Sequence, residues 1–320
     1  MTNLHAPAIP AHALRAADVA SAAQLACLLE ASAPKPGNVS PGRHFADARY
    51  EDFLASAVAI GEPLAGAGTR GVGATVRLAI EATARWTRSN TNLGIVLLLT
   101  PIARAALIEN GVGSRFHGTE LKTTPDPVFA DLRAPVREVL ESTTVDDARD
   151  VYAAIRQAAP GGLGRAEAQD VANEPTVTLL DTMRLTADRD GIAREYATAL
   201  EITFGTGAPA LERARGARLS WDDAIVETFL TLLAAHPDTH ITRRGGAALA
   251  AEISQQARST LAAGGVGSAA GRRAIEDMDR RMRDSRDSLN RANPGTTADL
   301  TAAAIFVVLL AGGWNGRDVR

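Results

Sequence analysis

Cysteine is nearly absent from the chain. Cys27 is the only one in 320 residues, which excludes an intramolecular disulfide, and its apolar helical surroundings suit a core thiol in a reducing compartment. Aromatic residues make up 4%, and turn-bounded runs alternating β-branched or aromatic residues with polar ones are almost missing, which argues against a β architecture. The longest apolar runs, such as residues 305–311, are far too short to span a bilayer. No Lys/Arg-led start followed by an apolar stretch and cleavage site opens the chain, so the expected setting is cytoplasmic, without a membrane partner. Net charge is −3 and the pI near 6.1; no excess of basic groups would draw a polyanion, and nucleic acid is not an expected partner.

What is present is alanine-rich sequence with helical spacing. Hydrophobic residues reach 46%, enough for a large core, and the expected fold is all-α: a single large multi-helix domain over residues 1–320 with a polar site where helix ends converge. Trp221, Ile225, Phe229, Leu232 and Leu233 share one face, Ser220 is placed to cap the start, and Pro237 lies just past the end. Further helices are expected at roughly 11–32, 48–62, 73–87, 93–109, 146–158, 176–188, 190–204, 247–263, 271–288 and 297–311. Pro/Gly-rich breaks fall at 33–42, 109–135 and 159–164. The second is a soft division between helical halves, a lid, or an ordered loop over a site.

Gly66, Gly68 and Gly71 match G-x-G-x-x-G, but a dinucleotide site needs a strand before the glycines, and residues 50–60 read as a helix. A turn between helices accounts for them better. His236 and His240 have zinc-ligand spacing, yet Pro237 interrupts the helix and the glutamate expected beside the first histidine is missing. More specific are four polar segments at helix boundaries: Pro34-Lys35-Pro36-Gly37-Asn38; Asn90-Thr91-Asn92-Leu93-Gly94; His236-Pro237-Asp238-Thr239 running into Arg243-Arg244-Gly245-Gly246; and Asn293-Pro294-Gly295-Thr296-Thr297-Ala298-Asp299. Small residues let backbone approach a ligand, and helix starts offer unpaired N–H groups to phosphates. Each alone is equally a turn and cap; together they suggest one polar site.

In this order, the segments resemble the triphosphoribosyl-dephospho-CoA synthase family, over about residues 30–310. Asp52-Phe53-Leu54-Ala55-Ser56-Ala57, the Gly264-Gly265 turn and Asp279 add to the likeness. One departure stands out. Citrate-lyase members usually carry Asn-Thr-His-Lys-Gly where this chain has Asn90-Thr91-Asn92-Leu93-Gly94, so Leu93 replaces a lysine. The chain looks like a divergent branch, as does its stretch 162–195.

The resemblance implies a transferase that cleaves the glycosidic bond of ATP, releases adenine, and joins the triphosphoribosyl group to the 2′-hydroxyl of 3′-dephospho-CoA, with Mg²⁺ on the triphosphate. Two alternatives stand beside it: an ATP-dependent transferase building another coenzyme, such as a one-carbon carrier, and a nucleotide-binding assembly protein without turnover. Inversion at the anomeric carbon needs a base, help for the leaving adenine and stabilisation of an oxocarbenium-like centre. Asp238 and Asp299 are the expected metal ligands or base, although Asp238 suits a turn cap and Thr296-x-x-Asp299 a capping box. Glu30 is a further site carboxylate or a partner for Lys35, and His236 an acid for adenine. Lys35, Arg243 and Arg244 are expected on phosphate; cations at the start of a helix would oppose its dipole and so favour an anion partner. Asn38, Asn90, Asn92 and Asn293 suit ribose or adenine contacts, or caps, with Gly37, Thr91, Gly94, Thr239, Gly245, Gly246 and Gly295 allowing close approach. A homodimer is plausible at this size.

Overall fold

The computed structural model describes residues 14–111, 130–162, 164, 166–283 and 290–314. The fold is all-α: among the described residues there is no strand, only an isolated bridge between Ser40 and Arg43. In chain order the helices are α1 (Ala16–Ser32), α2 (Tyr50–Ala59), α3 (Gly61–Ala65), α4 (Val72–Ala84), α5 (Leu93–Gly111), α6 (Ala130–Glu141), α7 (Val145–Ala158), α8 (Leu179–Arg184), α9 (Gly191–Ala197), α10 (Ala208–Gly216), α11 (Trp221–Ala235), α12 (Thr239–Gly245), α13 (Ala247–Ala262), α14 (Ala269–Met282) and α15 (Gly295–Leu310). A π-turn over Thr203–Gly207 joins α9 to α10. No described helix is long and apolar enough to cross a membrane.

Helix α15 is apolar around its whole circumference, buried from Leu300 through Val308, and such a helix must be enclosed by others. It packs on α1, α5, α10 and α11. Helix α5, equally apolar, lies against α15, α4 and α6. Gly66, Gly68 and Gly71 lie between α3 and α4 with helix rather than strand before them, which leaves the dinucleotide motif without its context. The break expected at 109–135 is partly helical, since α6 starts at Ala130; residues 112–129 and 284–289, where the 271–288 helix was expected to finish, lie outside the described chain.

Pro101 sits inside α5. It has no N–H to give, so the carbonyl four residues earlier, that of Leu97, loses its helical donor. The Tyr196 hydroxyl, from α9, donates to that carbonyl at 2.8 Å and is itself fully buried. Tyr196→Phe is expected to strand the carbonyl and cost about 1–3 kcal/mol, read as a lower urea midpoint with an unchanged slope.

Candidate functional site

The site is built at the start of α15. Asp238 ends the turn after α11 and caps α12 by accepting from the Ile241 N–H at 2.9 Å, while its other oxygen accepts from the N–H and hydroxyl of Thr297, each at 2.7 Å. Both carboxylate oxygens are therefore spent welding the starts of α12 and α15 together. Burial raises the pKa of this carboxyl, and the hydrogen bonds oppose that rise. Asp238, expected as base or metal ligand, does not line the cavity.

Asp299 does. Helix α15 begins at Gly295 after Pro294, so Asp299 lies in its second turn rather than in a capping box with Thr296. Burial, then Glu30, Asp238 and Asp190, push its pKa well above the carboxylate range; Arg243 pulls the other way. On α5, Gly94 backs directly onto this carboxylate: a Cβ there would overlap it. Gly295 is tied in the same way to the His240 ring.

At the end of α1, Lys35 is fully buried and turned inward, its ammonium 3.0 Å from the Glu30 carboxylate and donating to the Glu30 and Ala33 carbonyls. It does not reach the cavity as a phosphate ligand; it fixes Glu30, whose side chain does line the cavity. Gly37, at φ 75°, donates its N–H to Asp279 at 2.8 Å, and Asp279 also holds Arg43 and Arg283, so this glycine is pinned away from the cavity. Asn38 does line it, donating to Asn293 at 2.8 Å. Along 90–94, Asn90 accepts from the Leu93 N–H, Asn92 donates to Thr83, and Thr91 shares a short hydrogen bond with Ser56. Residues 90–94 all line the cavity, and Leu93 contributes an apolar side chain where the motif it resembles has a cation.

Arg243 and Arg244 lie in the last turn of α12, not at the start of a helix. The dipole favours cations there, so the expected argument for an anion partner is removed and their place on the cavity wall must carry it. Arg243 pairs with Asp190 at 3.4 Å and donates to the Gly161 carbonyl at 3.2 Å; Arg244 lies 3.4 Å from His240 Nε2. Thr239 accepts from the Gly191 N–H and meets Thr296, Gly246 (φ 92°) separates α12 from α13, and Gly245 packs on Leu249 and Arg291. These three lie off the cavity, as does His236, which sits near Arg194 and Glu201. His240 takes its place on the wall, its pKa driven down to about 4 by burial, Arg243 and Arg244.

The cavity measures about 1120 Å³, above the roughly 300–1,000 Å³ usual for one small ligand. Asp190, Arg88, Arg156, Arg189 and His240 are wall residues absent from the sequence-derived set. Asp190 left a local signal, an N-cap before an apolar stretch: it accepts from the Ala193 N–H at 3.0 Å. Arg88, Arg156 and Arg189 left none, because exposed arginines at helix ends are commonplace.

A family model described as ATP:dephospho-CoA triphosphoribosyl transferase (CitG) matches residues 16–318. The chain is 38% identical over 113 residues to a candidate 2-(5′′-triphosphoribosyl)-3′-dephosphocoenzyme-A synthase of Pseudomonas paraeruginosa, an overlap of 34% of this chain and 37% of that one. A protein of the same description from Azotobacter vinelandii is 35% identical over 101 residues, 32% of this chain and 33% of its own. The matched region thus spans about a third of the length of these relatives. The crystal structure of a candidate triphosphoribosyl-dephospho-CoA synthase from Archaeoglobus fulgidus superposes with a TM-score of 0.60 at 25% identity, covering 83% of this chain and 100% of that one.

Proposed function

This chain belongs to the ATP:dephospho-CoA triphosphoribosyl transferase family, and from that premise we propose that it transfers the triphosphoribosyl group of ATP to the 2′-hydroxyl of 3′-dephospho-CoA, releasing adenine. The observation that carries this reading is one cavity, large enough for two substrates, in which Asp299 and Glu30 stand beside a wall of arginines.

Asp299 takes the proton of the acceptor hydroxyl as its oxygen bonds to the anomeric carbon. The C–N bond to adenine breaks with its electron pair leaving on the purine, which is protonated from water, and Asp299 then returns its proton to water. A raised pKa makes Asp299 a stronger base than an ordinary carboxylate. Glu30, held by Lys35 at 3.0 Å, supplies negative charge next to the oxocarbenium-like carbon. Arg189, Arg243 and Arg244 take the triphosphate.

The residues present also suit Mg²⁺. Among the described residues no group of three or more His, Cys, Asp or Glu could hold a metal alone, but Mg²⁺ needs only one or two carboxylates and takes its other ligands from phosphate and water. Asp190, on the wall beside Arg243, would hold it; when bound it neutralises charge on the triphosphate.

Leu93 on the wall favours a second reading, in which ATP remains the donor and the acceptor alcohol belongs to another coenzyme. Incubation with ATP, Mg²⁺ and 3′-dephospho-CoA, following free adenine and product mass, separates the two. Adenine with a triphosphoribosyl adduct is the expected result. ATP bound without adenine release would shift the assignment to another acceptor, and no ATP binding would remove both readings.

A further inference from the structure

Many of the polar side chains on the cavity wall fall into two contact groups that meet at the start of α15. In one, Asn38 donates to Asn293 at 2.8 Å and Asn290 to Asp47 at 3.3 Å, with Phe45 close by in the chain. In the other, Arg243 pairs with Asp190 at 3.4 Å, Arg244 lies 3.4 Å from His240, and Arg189 has no ion pair among the described residues. Gly295 touches the second group through His240, and Asn293 closes on the first. Asp299 and Glu30 lie where the groups meet: Asp299 feels both Glu30 and Asp190, and Glu30 precedes the turn that carries Asn38.

The amide group is under-satisfied. Asn38 is 6% exposed and its Oδ1 has no hydrogen-bond partner, while the half-buried Asn293 spends its Oδ1 on Asn38. A buried unpartnered acceptor costs about 1–3 kcal/mol, a cost that a ligand donor reaching this Oδ1 would relieve while Nδ2 stays on Asn293. A linked pair offering the Asn38 acceptor and the Asn293 amide donor complements the amino-plus-ring-nitrogen edge of adenine. Phe45 adds an aromatic face, the flanking Arg283 guanidinium lying 5.2 Å from its ring. The reverse placement would set a polyphosphate beside Asp47 and Glu30, where the neighbouring Arg283 is already paired with Asp279 at 2.7 Å.

We infer that the nucleotide crosses the start of α15 in one direction, with its adenine read by Asn38 and Asn293 beside Phe45 and its triphosphate held by Arg189, Arg243 and Arg244. This rests on the reading of ATP as donor. The glycosidic bond then falls between Asp299 and Glu30.

Calorimetric binding of ATP, ITP and inorganic tripolyphosphate to the full chain tests the direction, because the six-position oxygen and N1–H of ITP invert the adenine edge. The unmodified chain is expected to prefer ATP over ITP about tenfold. Asn293→Ala should bring that ratio near one and leave tripolyphosphate unchanged. Asn38→Asp, of the same size, keeps an acceptor for the adenine amino group and repels the inosine oxygen, so it should widen the ratio. Arg243→Ala should weaken ATP, ITP and tripolyphosphate alike. Loss of tripolyphosphate binding in Asn293→Ala, an ATP/ITP ratio altered by Arg243→Ala, or a ratio untouched by both asparagine variants would overturn the direction while ATP binding stands. An unmodified chain that binds none of the three would overturn the donor reading with it.

Discussion

Asp299→Asn is expected to slow adenine release from ATP by about 10²–10⁴-fold, the usual contribution of a positioned base, and at the same time to raise the melting temperature at neutral pH. Both effects come from one cause. Burial and the neighbouring carboxylates hold the Asp299 pKa well above 3.8 in the fold. Between that ordinary value and the raised one, the native state keeps a proton that the unfolded chain has lost, so stability falls as pH rises through the window. Above it, the native protein carries an ionised carboxylate among other acids, a cost that the amide avoids. Activity runs the opposite way, rising with pH as the base ionises. Adenine release across pH, calorimetric ATP binding and thermal melting of the two proteins check this together. An Asp299→Asn variant that binds ATP and turns over normally would remove Asp299 as base; one that melts no higher would remove the electrostatic strain.

Gly94→Ala should be almost as damaging to turnover. An alanine methyl would overlap the Asp299 carboxylate, and misplacing a reacting group by about an ångström costs on the order of 10²-fold in rate. Position 94 is helical, and alanine is favoured over glycine in a helix by roughly 0.5–1 kcal/mol, so local propensity predicts no loss of stability. The overlap with a buried carboxylate outweighs that preference, since overpacking costs about 1–3 kcal/mol, so slow adenine release with a modestly lowered melting temperature is the expected combination. In the Asp299→Asn background the same change should cost little more, since both act on one group. Normal turnover in Gly94→Ala would mean that the carboxylate has room to move without consequence.

Helices with a strong apolar pattern were readable from the chain alone: Trp221–Ala235, Leu93–Gly111 and Gly295–Leu310 start within a residue or two of their expected positions. Short or irregular pieces were not. Gly61–Ala65 and Thr239–Gly245 are too brief to show a period, and the π-turn at Thr203–Gly207 depends on Glu195, which accepts from the Ile202 and Thr203 N–H groups at 2.8 and 2.9 Å, a contact made only in the folded chain. For the site, sequence reading found the segments but not the direction of their side chains. Lys35 and Asp238 stand in the right segments yet turn inward to Glu30 and Thr297. Residue type cannot report such a turn. Asp190 and His240 enter through packing of α9 and α12 against the start of α15, which no local pattern encodes.

Pro101, Leu97 and Tyr196 carry an implication for how the sequence can drift. A proline at 101 favours a hydroxyl at 196, because among the described residues Tyr196 supplies a donor to the Leu97 carbonyl, which Pro101 cannot. Any other residue at 101 restores the backbone donor and makes that hydroxyl dispensable. The two positions, far apart in the chain, should therefore co-vary among relatives, with phenylalanine tolerated at 196 chiefly where proline has gone from 101.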